Sequence, residues 1–163
     1  MREQYTHAYV ERIKTKLRRY GDLQRRIDNM IARLESLVEA MQSPSSPNLN
    51  GMPSGGRDGI SKTDRQIQKK CEIEAKLDEL IKRERILKQE IEKMAELLND
   101  HPDEQAIIEM RYIDMLRWTD VCAALFSEMN DYDDQTERYM KRTFRLHGTA
   151  LQRLARRIDD RPA

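Results

Sequence analysis

Two long stretches of the sequence repeat apolar side chains at alternating steps of four and three residues, and this heptad spacing constrains the fold more than any other feature. The first stretch lies within residues 1–42 and the second within residues 62–99. Their seam positions are Ile13, Leu17, Tyr20, Ile27, Ile31, Leu34, Val38 and Met41, then Ile73, Leu77, Leu80, Leu87, Ile91, Met94 and Leu98. Such a seam predicts two long coiled-coil helices, each of which buries one narrow apolar face against another helix.

The segment between these stretches, residues 43–61, has the opposite composition. It contains three of the five prolines and four of the six glycines of the chain. These residues terminate helices or favour turns. We therefore predict a flexible loop that allows the two long helices to form an antiparallel hairpin. Self-association is the other way in which the two seams can be buried.

Composition excludes several classes of protein. Charged residues make up 36% of the chain, the net charge is only +1, and no stretch approaches 18 consecutive apolar residues, so we expect no membrane span. The first residues lack the apolar segment of a secretory signal. Cys71 and Cys122 lie far apart without a CxxC motif, which is typical of reduced thiols in the cytoplasm. No nucleophile is paired with a base and the histidines lack metal-ligand spacing, so we predict no enzyme, no cofactor and no metal site.

Shorter helices are predicted after Pro102, a residue suited to the first turn of a helix. The apolar pattern indicates three of them, at about 102–113, 118–126 and 135–158. The last two follow in the order of a helix-turn-helix motif. The predicted fold is therefore all-α: a long N-terminal helical hairpin, followed by a three-helix domain over residues 102–158.

The last predicted helix carries two opposite faces. One face is apolar apart from a histidine and consists of Met140, Phe144, His147, Leu151, Leu154 and Ile158. The other consists of Arg138, Arg142, Arg145, Thr149, Gln152 and Arg156. Residues 138–157 hold seven basic side chains, six of them arginine, and no acidic one. Since arginine binds phosphates and guanine edges, this face favours contact with nucleic acid over simple solvation.

Three runs of residues carry a resemblance to a known family: IEMRYI at 108–113, RWTDV at 117–121 and FRLHGTAL at 144–151. They resemble the phage-encoded, sigma-factor-like transcriptional regulators of Gram-positive bacteria of the ArpU and RinA type. The last domain of those proteins is similar to the sigma region that binds the −35 promoter element. The resemblance implies a sequence-specific DNA-binding regulator of phage or prophage origin. Met115-Leu116 departs from the pattern, because a glycine is usual in that turn, and the acidic connection before the last helix is longer.

The resemblance also implies roles for individual residues. Those expected to face the bases of duplex DNA are Arg138, Lys141, Arg142 and Arg145. Those expected to lie toward phosphates are Thr149, Gln152 and Arg156, together with Arg117 and Thr119 at the start of the preceding helix. Asp134 and Glu137 resemble a capping box. We expect Trp118 to be a core residue, His147 to be a packed histidine, and Gly148 to permit the close approach of another helix.

Several alternatives stay open at this point. The hairpin either dimerises and positions the DNA-binding end, or contacts another protein such as host RNA polymerase. The basic residues of positions 12–26 are candidates for weak additional phosphate contact. The rival hypotheses for the whole chain are a small-terminase-type DNA-packaging subunit and a coiled-coil adaptor that binds an acidic protein instead of DNA.

Overall fold

The computed structural model describes residues 2–43 and 59–159, and this part of the chain contains helices and turns but no strand. The helices are α1 (Arg2–Gln42), α2 (Lys62–Ala95), α3 (Pro102–Ile108), α4 (Trp118–Phe126) and α5 (Thr136–Asp159). A 3-10 turn, Glu96–Leu98, extends α2, and a π-helical turn, Glu109–Ile113, extends α3. The all-α prediction is confirmed. Most of the predicted loop, residues 44–58, lies outside the described residues.

The chain divides into two compact units, and the division falls inside the two long helices. The first unit comprises Met1–Asp22 and Glu84–Ala163, and the second comprises Leu23–Arg83. The three C-terminal helices therefore share a unit with the beginning of α1 and the end of α2.

The core of the first unit joins segments that are far apart in the sequence. From α1 and α2 it includes Ile13, Leu17, Tyr20, Ile91, Met94 and Leu98, and from the C-terminal helices Ile108, Ala150, Leu151 and Leu154. Leu17 and Leu154 are almost completely buried. Burial of a leucine side chain stabilises a fold by about 1.5–3 kcal/mol. The seam residues of α1 thus hold α5 in place as well as α2.

Polar contacts in the first unit show that α1 and α2 run antiparallel there. Nζ of Lys16 lies 2.7 Å from a carboxylate oxygen of Glu90. The hydroxyl of Tyr20 donates to the carboxylate of Glu84 over 2.8 Å. As residue numbers rise along α1, those of the α2 partners fall.

The second unit buries its seam less completely. The seam residues Ile27 and Ile73 are buried, whereas the seam residue Ile31 is exposed. An open apolar groove in this unit is lined by Ala32, Arg33, Ser36, Leu37, Ala40, Lys69 and Ile73. The start of α2 is fixed by Ser61, whose Oγ accepts a hydrogen bond from the amide of Asp64 at 3.0 Å and donates to its carboxylate at 2.7 Å. This reciprocal cap stabilises the first turn of α2.

The buried face of α5 differs from the predicted apolar face. Leu151 and Leu154 are buried as expected, but Tyr139 and Thr143 are buried as well. The hydroxyl of Thr143 donates to the carbonyl oxygen of Tyr139 at 2.9 Å, so it is satisfied within the helix. Phe144, which the pattern placed on the apolar face, is 47% exposed. The buried face is rotated by roughly 40° from the predicted one.

Candidate nucleic-acid interface

The turn between α3 and α4 is set by the π-helical turn that precedes it. The amide of Asp114 donates to the carbonyl oxygen of Glu109 at 3.0 Å, and the amide of Leu116 donates to that of Met110 at 2.9 Å. Met115 then adopts a left-handed conformation with φ of 59°. This is the conformation that glycine adopts most readily. Met115 therefore takes the backbone geometry that a glycine usually supplies at such a turn.

Arg111 fastens this turn to the start of α4. Its guanidinium donates to the carbonyl oxygen of Leu116 at 2.7 Å. The same group lies 5.0 Å from the ring centroid of Trp118, a cation–π contact. Arg111 therefore contacts the residues immediately before and after Arg117, and these two contacts fix the direction of α4 relative to the turn.

A half-buried aromatic cluster connects α4 to the middle of α5. The ring of Trp118 lies 4.8 Å from that of His147 and 5.1 Å from that of Phe144. The hydroxyl of Tyr112 lies 2.8 Å from Nε2 of His147. Burial lowers the pKa of His147 to about 4, with smaller contributions from the positive charges of Lys14 and Arg111. His147 is therefore neutral at pH 7 and is a packed residue, as expected, whereas Trp118, which was expected in the core, is only half-buried.

The acidic connection before α5 is folded onto the helix. The hydroxyl of Tyr139 donates to the carboxylate of Asp131 at 2.6 Å, and this bond is the main reason why the pKa of Tyr139 is raised. The ring of Tyr132 lies 5.7 Å from that of Tyr139, and the ring of Phe126 lies 5.2 Å from it on the side of α4. The connection thereby fixes the first turns of α5 relative to α4.

The predicted capping box at Asp134 and Glu137 is wrong. α5 begins at Thr136, so Asp134 lies too far from the helix to cap it. Glu137 instead pairs with Lys141, whose Nζ lies 2.8 Å away, and this contact lowers the pKa of Glu137. The hydroxyl of Thr136 donates to the carbonyl oxygen of Tyr132 at 3.0 Å.

The residues predicted for the cationic face of α5 are all exposed and lie on one side of the helix. They are Arg138, Arg142, Arg145, Thr149, Gln152 and Arg156. Arg138, Arg145 and Arg156 form no ion pair with any side chain that the structure describes. Arg142 lies over the ring of Phe126, 4.9 Å from its centroid. Thr149 donates to the carbonyl oxygen of Arg145 at 2.9 Å.

A surface depression brings together the four residues that were expected to face bases. It is lined by Gln135, Glu137, Arg138, Tyr139, Lys141, Arg142 and Arg145. Sequence patterns assigned no role to Phe126 or Asp131, yet these two residues hold Arg142 and Tyr139 at its edge. No spacing rule reveals such partners, because they come from a different helix and from the connection.

Two further arginines of α5 serve the packing of the first unit. Arg153 forms two hydrogen bonds with the buried carboxylate of Glu104, at 2.9 and 3.2 Å. Arg157 forms a bidentate pair with Asp100, both bonds measuring 2.6 Å, and also donates to the carbonyl oxygen of Leu97. The pair with Arg157 holds the pKa of Asp100 well below its usual range. These two cations are therefore separate from the exposed cationic face.

The remaining predicted phosphate contacts, Arg117 and Thr119, lie at the start of α4 and outside the depression. Both are exposed, and Nε of Arg117 lies 3.1 Å from a carboxylate oxygen of Asp120.

The expectation that Gly148 permits the close approach of another helix is wrong, because a Cβ added there would meet nothing within 4 Å. Within the described residues, no group of three or more His, Cys, Asp or Glu residues is arranged to hold a metal ion.

No helix in the described ranges combines the length and apolarity needed to cross a membrane.

A comparison with protein families identifies a matching family. A family model described as "Protein of unknown function (DUF1492)" matches residues 45–141, more than half of the chain. The matched residues include α2, α3, α4 and the beginning of α5, and they end at Lys141. No curated protein and no solved structure matches the chain.

Proposed function

The chain belongs to the family described as Protein of unknown function (DUF1492), and we propose that it is a sequence-specific DNA-binding transcriptional regulator. In this proposal it is sigma-region-four-like, of phage or prophage origin, and acts without enzymatic activity in the bacterial cytoplasm. The free thiols of Cys71 and Cys122 are compatible with that reducing compartment. The partner of the α5 face is duplex DNA.

The observation that carries the proposal is the segregation of charge on α5. Arg138, Arg145 and Arg156 are exposed on one face without an ion-pair partner among the described side chains. Arg153 and Arg157, in contrast, are neutralised by Glu104 and Asp100. An exposed cationic helix face on a rigid support is what binds DNA phosphates and base edges in the major groove.

The division of labour in this proposal follows the position of each residue along α5. Arg138, Arg142 and Arg145 lie near its start and contact bases, whereas Thr149, Gln152 and Arg156 contact phosphates further along. Arg117 and Thr119 contact the backbone from α4. The ring of Phe126 restricts the guanidinium of Arg142, which lowers the entropy lost when that group binds. The ammonium group of Lys141 already pairs with the carboxylate of Glu137, so Lys141 contributes less to DNA affinity than the unpaired arginines do.

The proposal is tested by fluorescence anisotropy with duplexes tiled across the genome region around the gene, at about 50 and 200 mM salt. We expect tight binding to one or two tiles and a steep loss of affinity with salt. Arg145→Gln should weaken binding to these tiles about tenfold or more. The matched control is Lys76→Gln, which removes an exposed cation from the second unit. Equal affinities for the wild type and Arg145→Gln would contradict the proposed face.

The rival hypotheses predict other outcomes. A packaging subunit of the small-terminase type forms rings, so multi-angle light scattering would give a mass of about eight or more copies instead of a monomer or a dimer. A coiled-coil adaptor would bind no tile at moderate salt. The proposal also includes dimerisation through the hairpin and contact with host RNA polymerase. A supershift of the DNA complex with purified polymerase tests the contact with polymerase.

A further inference from the structure

One flank of α1 borders the turn that leads into α4. Gly21 lies so close to Met115 that a Cβ on the glycine would be 2.6 Å from Cε of the methionine. Both residues belong to the first unit. Residues of α1 that share the flank of Gly21 therefore lie beside the start of α4.

Lys14 and Arg18 occupy this flank. At 100° per residue, Lys14 lies about 20° and Arg18 about 60° around the helix from Gly21. The positive charge of Lys14 contributes to the lowered pKa of His147. The positive charge of Arg18 offsets part of the rise that burial causes in the pKa of Tyr112. These effects agree with the geometry, since Tyr112 and His147 belong to the aromatic cluster that holds α4 against α5.

The cations of this region differ in how far carboxylates neutralise them. Nζ of Lys14 lies 2.9 Å from Glu11, and Arg117 pairs with Asp120. Arg18 is exposed and forms no ion pair with any side chain in the described ranges. Arg18 is therefore a cation on this flank whose charge no carboxylate in the described ranges neutralises, so it is available to an external anion.

We propose that Arg18 forms a second contact with the phosphate backbone of duplex DNA, next to the start of α4 and outside the segment of DNA bound by α5. This inference rests on the proposed function, because it extends the surface through which the regulator binds DNA. Lys14 contributes less, since Glu11 shares its charge. A contact of this type adds affinity without sequence preference.

The neighbouring residue in the sequence provides a matched control. Arg19 is exposed as well, but lies about 160° around α1 from Gly21. Arg18→Gln and Arg19→Gln remove the same charge from adjacent residues on different flanks. Arg18→Lys keeps the charge and should keep most of the affinity. Urea unfolding of each variant confirms that its fold is intact.

The experiment measures affinity by anisotropy for the tightest-binding tile, as a duplex of about 30 base pairs, over a series of salt concentrations. We expect Arg18→Gln to bind about five- to tenfold more weakly at low salt, with a salt slope reduced by about one. Arg19→Gln should stay within about twofold of the wild type. Equal effects of the two variants would overturn the second contact and leave the proposed function standing. Failure of the wild type to bind any tile would overturn both.

Discussion

The hydroxyl of Tyr112 and Nε2 of His147 lie 2.8 Å apart, so a hydrogen bond connects the π-helical turn after α3 to the middle of α5. The two rings also lie within 5.7 Å of each other. Trp118 packs against the same histidine from the start of α4. The relative placement of all three C-terminal helices therefore depends on a neutral imidazole in a half-buried position.

This dependence predicts that the fold loses stability in weak acid. The pKa of His147 is about 4 in the folded chain, below its ordinary value of 6.5. As the pH falls below 6.5, the unfolded chain takes up a proton that the folded chain does not, so stability is lost until the pH reaches about 4. Allowing for partial exposure of the ring, we expect the loss from this group to be about 1 kcal/mol between pH 7 and pH 5.

Urea unfolding at the two pH values checks this expectation. His147→Gln is the control, because the amide does not titrate. The difference in stability between wild type and variant should shrink at pH 5. A difference that is independent of pH would show that the histidine does not set this response.

The left-handed conformation of Met115 predicts an order of stability for two substitutions. Met115→Gly and Met115→Ala both remove the contact with Gly21, but only glycine adopts a positive φ without strain. We expect the glycine variant to be more stable than the alanine variant by about 1 kcal/mol. Chemical denaturation measures both. The reverse order would mean that the turn changes its backbone conformation in the variants.

The two glycines in the described helices, Gly21 and Gly148, predict gains of different size when they are replaced by alanine. Alanine favours a helix interior by about 1 kcal/mol over glycine. At Gly148 the added Cβ meets open space, so Gly148→Ala should be stabilised by roughly this amount. At Gly21 the added Cβ meets Cε of Met115, which reduces the gain.

The glycine prediction has an internal control. In a Met115→Ala background the obstruction at Gly21 is gone, and Gly21→Ala should then recover the full gain of about 1 kcal/mol. If the gain at Gly21 is the same with and without the methionine side chain, the two residues are not coupled.

The arginines of α5 should separate into two classes when they are replaced by methionine. Arg153→Met leaves the buried carboxylate of Glu104 without its partner, so it should unfold at lower urea concentration and, while folded, keep its DNA affinity. Arg145→Met should do the reverse, with unchanged unfolding and a loss of affinity of about tenfold or more. Loss of affinity in both variants without loss of stability would contradict the separation.

Helical periodicity predicts most of the fold, because burial repeats with the period of the helix. The seam residues Ile13 and Leu17 are buried, and Pro102 is the first residue of α3. The sequence pattern misplaces the buried face of α5, because it counts Thr143 as polar and Phe144 as apolar. The hydroxyl of Thr143 is satisfied inside its own helix, whereas the ring of Phe144 packs against that of Trp118 and stays about half exposed.

The pairing of charges could not be predicted from the sequence. Helical periodicity leaves Arg153 and Arg157 off the cationic face, but it does not reveal their partners, which lie 49 and 57 residues away. Only the three-dimensional fold shows which carboxylates neutralise these two arginines. The roles of the exposed residues in binding DNA stay predictions until affinity is measured.

The shared core of the first unit has a consequence for synthesis on the ribosome. Leu17 is made more than a hundred residues before Leu154, which belongs to the same buried cluster. The apolar side of the first helix must therefore wait for the last helix to emerge before it is fully covered. Contacts between such distant segments slow folding, because a large loop must close first. A nascent chain stalled before α5 should accordingly be a better substrate for chaperones and proteases than one stalled after it.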